Sequence, residues 1–278
     1  MRRRYPAFLI SVLCFGYAFL YVPIILVMVY SFNDSRLVSI WGGFSLRWYG
    51  ELLQNDQIID AAWLSLRVAV ASATVATMLG TLAALALTRM GRYRGRFLFT
   101  GMVAAPLVMP EIITGLSLLL LFVSLQDLFG WPGSRGALTI TLSHITFCMA
   151  YVAVIVQSRL AAMDGTLEEA AMDLGGTPFR VTLDITLPMV MPAMLSGWLL
   201  AFTLSLDDLV ITTFVSGPGA STLPMVIYSK VKLGLTPDIN ALATLVIVVV
   251  TVCVISAGWL TLRGGANPLA PPRPHPEP

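Results

Sequence analysis

Lysine is almost missing from this sequence: Lys230 and Lys232 are the only two among 278 residues, and no Gly-x-x-x-x-Gly-Lys-Ser/Thr run is present. Without that loop a nucleotide has no backbone cradle for its phosphates, so any ATP hydrolysis must come from another chain. Charge of either sign is scarce, at 12% of residues with a net charge of +2, and the basic residues are scattered, which excludes a nucleic-acid surface. Cysteine is limited to Cys14, Cys148 and Cys253, widely spaced in apolar stretches, with no Cys-x-x-Cys pair and no histidine at ligand spacing. The three read as packing residues, and neither a metal nor another cofactor is expected. No nucleophile–base pair is visible either, which leaves an intramembrane enzyme without support. What remains is apolar: 57% hydrophobic residues and a mean hydropathy of +0.82 describe an all-α integral membrane protein.

A bilayer crossing needs roughly 20 apolar residues, and hydropathy predicts six transmembrane helices, at 8–32, 61–88, 99–124, 138–157, 193–214 and 241–262. Met1-Arg2-Arg3-Arg4 imitates a secretory signal, but the apolar run behind it is too long for a signal core and lacks a cleavage site, so it reads as an uncleaved first span. Six crossings put both termini on one side. Arg2, Arg3, Arg4, Arg89, Arg92, Arg94, Arg96, Arg159, Arg180, Arg263 and Arg273 fall on that side and outnumber Arg36, Arg47, Arg135, Lys230 and Lys232 on the other. The positive-inside rule then makes both termini cytoplasmic. The expected organisation is a cytoplasmic N-terminus at 1–7, a six-helix transmembrane domain at 8–262 and a disordered proline-rich tail at 263–278; no internal repeat is detected.

Two outer segments carry information. Residues 33–60 place Trp41, Trp48 and Tyr49 beside Glu51, Asp56 and Asp60, which suits an interfacial aromatic belt with a short amphipathic stretch, with a docking surface for an extracytoplasmic partner as the sharper alternative. Residues 215–239, with the turn Ser216-Gly217-Pro218-Gly219 and both lysines, suit a second docking surface or a gating loop.

Asp207 and Asp208 are expected about two thirds of the way through the fifth span. A carboxylate at the helix centre costs about 2.5 to 3.5 kcal/mol, and two neighbours repel, so a cation, a proton or a water-filled cavity must compensate. Neighbouring positions lie about 100° apart on a helix, which lets one carboxylate face a pathway while the other meets a partner or a hydroxyl. Thr203, Ser205 and Thr212 stand at helical spacing to support a shared polar face. Glu111, directly after Pro110 and five after Pro106, points to a kinked, pore-lining third helix. Arg67 is the one basic candidate partner and is expected to snorkel outward. His144, beside Ser143 and Thr146, reads as a satisfied helix–helix contact, with a proton relay as the sharper alternative. Three acids against one arginine favour a cationic permeant.

The most patterned stretch is 167–188, LEEAAMDLGGTPFRVTLDITLP, polar and helix-competent between two spans. Acids in its first turns and the pair Gly175-Gly176 at its end predict a short helix, a glycine turn and a second short helix begun by Thr177 and Pro178. Glu169-Ala170-Ala171, three residues, Gly175, nine residues, Ile185, one residue, Leu187 and Pro188 together resemble the EAA loop of bacterial ABC importer permeases, with every position filled. The resemblance implies a type I ABC importer (MetI-like) permease fold. It also implies that the loop 160–188 is cytoplasmic and that Glu169, Ala170, Ala171 and Gly175 form a coupling helix seated in the ATPase subunit. Small alanines suit a helix settling deep in a groove.

Residues 109–122, 196–210, 239–244 and Trp48-Tyr49 further resemble the spermidine/putrescine family of these permeases, over nearly the whole chain. That likeness implies an ATP-driven polyamine importer of the bacterial inner membrane, with putrescine as the expected cargo. Its implied partners are a second homologous permease subunit, a dimeric ABC ATPase and a periplasmic polyamine-binding protein. Glu111, Ser205, Asp207 and Asp208 then become candidates for the substrate path, with Trp48 nearer the entrance, since ammonium groups favour carboxylates and aromatic faces. Glu111 departs from the aspartate sometimes found at its position in that family. The alternatives are an ABC permease for another small solute such as ferric iron, and a secondary transporter driven by protons or sodium.

Overall fold

The computed structural model describes residues 7–35, 40–91, 93–234 and 237–263. The stretch 1–6, Arg36, Arg92 and the tail 264–278, which carry part of the charge argument and the disorder expectation, lie outside them, as does the side chain of Cys253. Among the described residues the regular elements are helices: α1 (Ala7–Tyr30), α2 (Arg47–Leu53), α3 (Asp56–Arg89), α4 (Arg96–Val108), α5 (Glu111–Phe129), α6 (Ala137–Ala161), α7 (Thr166–Asp173), α8 (Pro178–Val181), a π-helical turn at Thr182–Thr186, α9 (Leu187–Asp207), α10 (Val210–Val215), α11 (Leu223–Leu233) and α12 (Pro237–Arg263).

Among the described residues five runs are long and apolar enough to cross a membrane: Phe8–Tyr30, Asp56–Arg89, Glu111–Phe129, Ala137–Ala161 and Pro178–Asp207. The sixth expected span, 241–262, falls on α12, whose stretch Pro237–Val252 is one of the shorter apolar helices. The expected third span, 99–124, is not one kinked helix. Pro110 cannot donate and forces Met109 to an extended ψ of 136°, so α4 stops and α5 begins anew. The expected fifth span, 193–214, starts earlier than read and breaks at Asp208, where ψ is 125°. The second short helix of the polar segment is likewise not separate: α8 and the π turn run straight into α9. A wide turn there suits Pro188, whose ring crowds the preceding turn of a regular helix. The stretch 215–239, expected as an outer loop, contains the regular helix α11.

The chain divides into two compact units, residues 56–229 and residues 1–55 with 230–278. In the first, α3, α6 and α9 pack against one another, and on α6 Ile140, Cys148, Val152, Val156 and Leu160 are all fully enclosed. On α3 the small residues Ala69, Ala73, Ala76, Gly80 and Ala84 are buried, and Gly80 meets α6. A Cβ at Gly80 would stand 2.8 Å from the Met149 carbonyl oxygen, so the missing side chain is what lets the two backbones close. In lipid this close packing replaces the hydrophobic drive that water supplies elsewhere. Cys148 packs inside this core as expected, whereas Cys14 on α1 is exposed.

In the second unit α12 packs on α1 and α2, and the α1–α2 connection folds around the buried Asn33. Its amide donates to the Ile40 carbonyl (2.7 Å), its side-chain oxygen accepts from Gly42 N (2.7 Å), and its own carbonyl accepts from the Trp48 indole (2.6 Å).

Candidate functional site

The polar segment forms its helix as Thr166–Asp173, and the chain turns on a complete Schellman closure: Gly176 N donates to the Ala171 carbonyl at 3.0 Å and Gly175 N to that of Met172 at 2.9 Å. Gly175 takes φ +89°, the left-handed value the closure demands, and a Cβ at Gly176 would lie 2.7 Å from the Ala171 oxygen. Both glycines are therefore required, for different reasons. No residue of α7 is buried in the chain; Glu169 and Ala170 are exposed and Ala171 half-buried. Leu174, Phe179, Leu167 and Met172 stand out beside them, Leu174 with 90% of its surface open. An apolar rim around small residues is what a helix that enters another protein's groove presents.

Glu168, not Glu169, ties α7 down. Its carboxylate meets Arg89 Nε at 2.9 Å and accepts from Thr186 Oγ1 at 2.7 Å. Arg89 also reaches the Leu160 carbonyl at 3.4 Å. One clasp thus joins the ends of α3 and α6, the exposed helix α7 and the π turn at the root of α9. Neither Arg89 nor Glu168 stood out in sequence, because an ion pair 79 residues apart has no local pattern.

At the other end of α9 the paired aspartates separate. The Asp208 carboxylate is only 6% exposed. It accepts from Thr212 N at 2.8 Å, Thr212 Oγ1 at 2.7 Å and Ile211 N at 3.3 Å. These are the donors a continuous helix would satisfy with backbone carbonyls, so the side chain has taken over the ladder and broken it. His144 of α6, 1% exposed, reaches across the break: Nδ1 lies 2.6 Å from Ser205 Oγ, and Nε2 lies 3.2 Å from Asp208 Oδ2 and 3.0 Å from Thr212 Oγ1. Thr203 turns away and bonds the Leu199 carbonyl at 2.9 Å. Asp207 is exposed, and among the described residues it pairs with no basic group and no other side chain.

Glu111 opens α5, where the helix N-terminus favours its charge, and it too is exposed without a basic partner among the described residues. α5 packs along α10: a Cβ at Gly115 would meet Ile211 Cα at 3.3 Å and Phe214 at 2.7 Å. Glu111 and Asp207 each precede one of those touching residues, Gly115 and Ile211, by four positions. Arg67 meets none of the acids; its guanidinium lies 4.7 Å from the centre of the Trp63 ring.

Trp48 belongs to the other unit and is buried, at 6% exposure. One edge of it lines a cavity of about 490 Å³ with Arg47, Glu51, Lys230 and Asp238. Arg47 pairs with Glu51 at 2.6 Å and Lys230 with Asp238.

Comparison with known proteins is in keeping with this arrangement. Residues 76–262 match the family model described as binding-protein-dependent transport system inner membrane component. The putrescine transport system permease protein PotI of Escherichia coli (strain K12) is 58% identical over 254 residues, 91% of this chain and 90% of that protein. The spermidine/putrescine transport system permease protein PotC of the same strain is 46% identical over 241 residues, 87% of this chain and 89% of that one. Among solved structures, a bacterial ABC transporter involved in the import of the acidic polysaccharide alginate superposes with a TM-score of 0.74 at 19% identity, covering 92% of this chain and 94% of that one. At that identity the likeness speaks for the fold.

Proposed function

Because the chain belongs to the family of binding-protein-dependent transport system inner membrane components, we propose that its cargo is a polyamine, putrescine before others, carried inward across the bacterial inner membrane. The chain is a multi-pass permease subunit of an ATP-driven importer and leaves hydrolysis to a partner. Its relatives' named cargo supports the polyamine. The observation that carries it in the chain itself is the pair Glu111 and Asp207, two exposed carboxylates at helix breaks with no basic neighbour among the described residues. Anions left unpaired in an apolar span are stable only when a cation or water meets them, and a diammonium chain supplies the cation. Of the four candidates, Glu111 and Asp207 border this path, Ser205 and Asp208 support it from behind, and Trp48, in the other unit, is a further aromatic contact for the cargo.

The coupling role rests on α7. Glu169, Ala170, Ala171 and Gly175, within the loop 160–188 of a permease domain spanning 8–262, enter a groove of a dimeric ATPase on the cytoplasmic side, where both termini also lie. Closure of that ATPase draws on α7, and the clasp at Glu168 passes the displacement to α9 and its acids. A second, homologous permease completes the path, and a periplasmic polyamine-binding protein delivers the cargo. Alternating access then needs only that the acids hold the cation weakly enough to release it.

The test is reconstitution of the complete complex in vesicles with labelled putrescine. Uptake that requires ATP and the binding protein, and that falls in Glu111→Gln, is the expected result. Uptake abolished by an uncoupler and indifferent to nucleotide would mean a secondary transporter; ATP-dependent uptake of ferric iron or another solute in place of putrescine would mean a different cargo.

A further inference from the structure

We propose that His144 is a positioning residue for the substrate path: by pinning both sides of the α9–α10 break it withdraws Asp208 from the cargo and turns Asp207 towards it. The inference rests on the polyamine reading above and divides the labour between two adjacent acids.

The argument begins with which atoms His144 touches. Ser205 is on the last turn of α9, and Asp208 and Thr212 lie beyond the break, so one imidazole on α6 bridges a discontinuity in another helix. The three partners fit a single tautomer. The Ser205 hydroxyl donates to Nδ1, and the Nε2 hydrogen points at Asp208 Oδ2, which also takes the Thr212 hydroxyl and amide. Every polar atom of the imidazole is then used inside the protein, at 1% exposure.

Asp208 is satisfied in the same way. Two backbone amides, one hydroxyl and the imidazole surround a carboxylate that is 6% exposed. A passing ammonium group would have to strip these donors away, and a carboxylate with four partners gains little from a fifth. Asp207 has the opposite character: it is exposed and shares its charge with no basic group among the described residues. Successive residues point about 100° apart while the chain is helical. With Asp208 fixed inward, Asp207 is fixed outward.

Glu111 completes the geometry. Successive spans cross the membrane in alternate directions, so α5 and α10 run the same way. Gly115 touches Ile211, and Glu111 and Asp207 each stand four positions earlier in the sequence. Both open carboxylates therefore flank the α5–α10 contact, each at a helix break, where either could meet an ammonium end of a diamine.

The experiment measures uptake kinetics of labelled putrescine by the complete reconstituted complex carrying Asp207→Asn, His144→Ala, their combination, and His144→Gln. Asp207→Asn is expected to raise apparent KM about tenfold with kcat little changed, the mark of lost binding rather than lost folding. His144→Ala raises KM by a similar factor, and adding Asp207→Asn to it changes KM by no more than about twofold, because both act through one carboxylate. His144→Gln, which keeps a donor for Asp208, recovers most of the loss. The amount of subunit assembled with its partners is measured in parallel, so a folding defect shows as less complex and an unaltered KM. Multiplying KM effects, or an Asp207→Asn variant with the parental KM, overturns this assignment while leaving the polyamine reading in place. A parental complex that takes up no polyamine overturns both.

Discussion

The clasp between Arg89, Glu168 and Thr186 should decide how tightly ATP use is tied to transport. Glu168 is the hub. Its pairing with Arg89 at 2.9 Å is partly screened, the side chains being 32% and 14% exposed, so it ranks with surface pairs and contributes about 1 kcal/mol. The hydrogen bond from Thr186 Oγ1, 2.7 Å long, goes to a charged acceptor and contributes about 1.5 kcal/mol more. Glu168→Ala removes both, about 2.5 kcal/mol, which shifts the balance between a docked and a loosened α7 by about 70-fold. Arg89→Met keeps the Thr186 bond and removes the ion pair, about fivefold, together with the long contact to the Leu160 carbonyl. Glu168→Gln keeps an acceptor for Thr186 and should match Arg89→Met. The assay is the number of putrescine molecules imported per ATP hydrolysed in reconstituted vesicles. The expected order is parent, then Arg89→Met and Glu168→Gln together, then Glu168→Ala lowest by at least tenfold. The exchange Arg89→Glu with Glu168→Arg restores the pair but leaves Thr186 without its acceptor, and should recover only the ion-pair share. If uptake per ATP is unchanged in Glu168→Ala while the subunit still assembles with its ATPase, α7 is held by other contacts and the reasoning fails.

Other perturbations separate geometry from chemistry. Gly175→Ala must hold φ near +89° at a cost of about 1 to 2 kcal/mol, and Gly176→Val must push the Ala171 carbonyl aside; both should lower ATPase stimulation by the binding protein with membrane insertion normal, as read by extraction and blotting. Gly115→Leu drives a side chain into Phe214, whose ring carbon lies 2.7 Å from the added Cβ, and should lower the detergent-solubilised complex's melting temperature by an amount matching about 1 to 3 kcal/mol of overpacking. Trp48→Phe leaves the Asn33 carbonyl without its indole donor, a loss of about 1 to 3 kcal/mol. If Trp48 is only structural the same melting assay reports the loss, and if its ring also meets the cargo KM rises as well.

What could be read from the one-dimensional chain, and what could not, follows from the range of the interactions. The helix α7 and its glycine turn were legible because every requirement in them is local: acids in a first turn, alanines on a face, Gly175 at the left-handed position, Pro178 opening the next turn. The broken third span was half legible. Pro110 announced a bend, but a bend and a break have the same sequence, and Met109 shows its extended backbone only in three dimensions. The break after α9 has no proline or glycine to announce it. It exists because Asp208 found a better set of donors than water or lipid offers, and one of those donors sits on α6, 64 residues away. A signal was nevertheless present. Ser205, Asp208 and Thr212 recur at helical spacing, and the sequence holds two histidines, of which His144 alone lies in an apolar span. A buried polar stripe and a buried imidazole each need partners, and each is the other's best supply. Joining them takes Asp208 out of the set of open acids and leaves Asp207 as the carboxylate still seeking a cation. Composition alone treats the two aspartates as equivalent; the demand that every buried polar group be satisfied is what tells them apart.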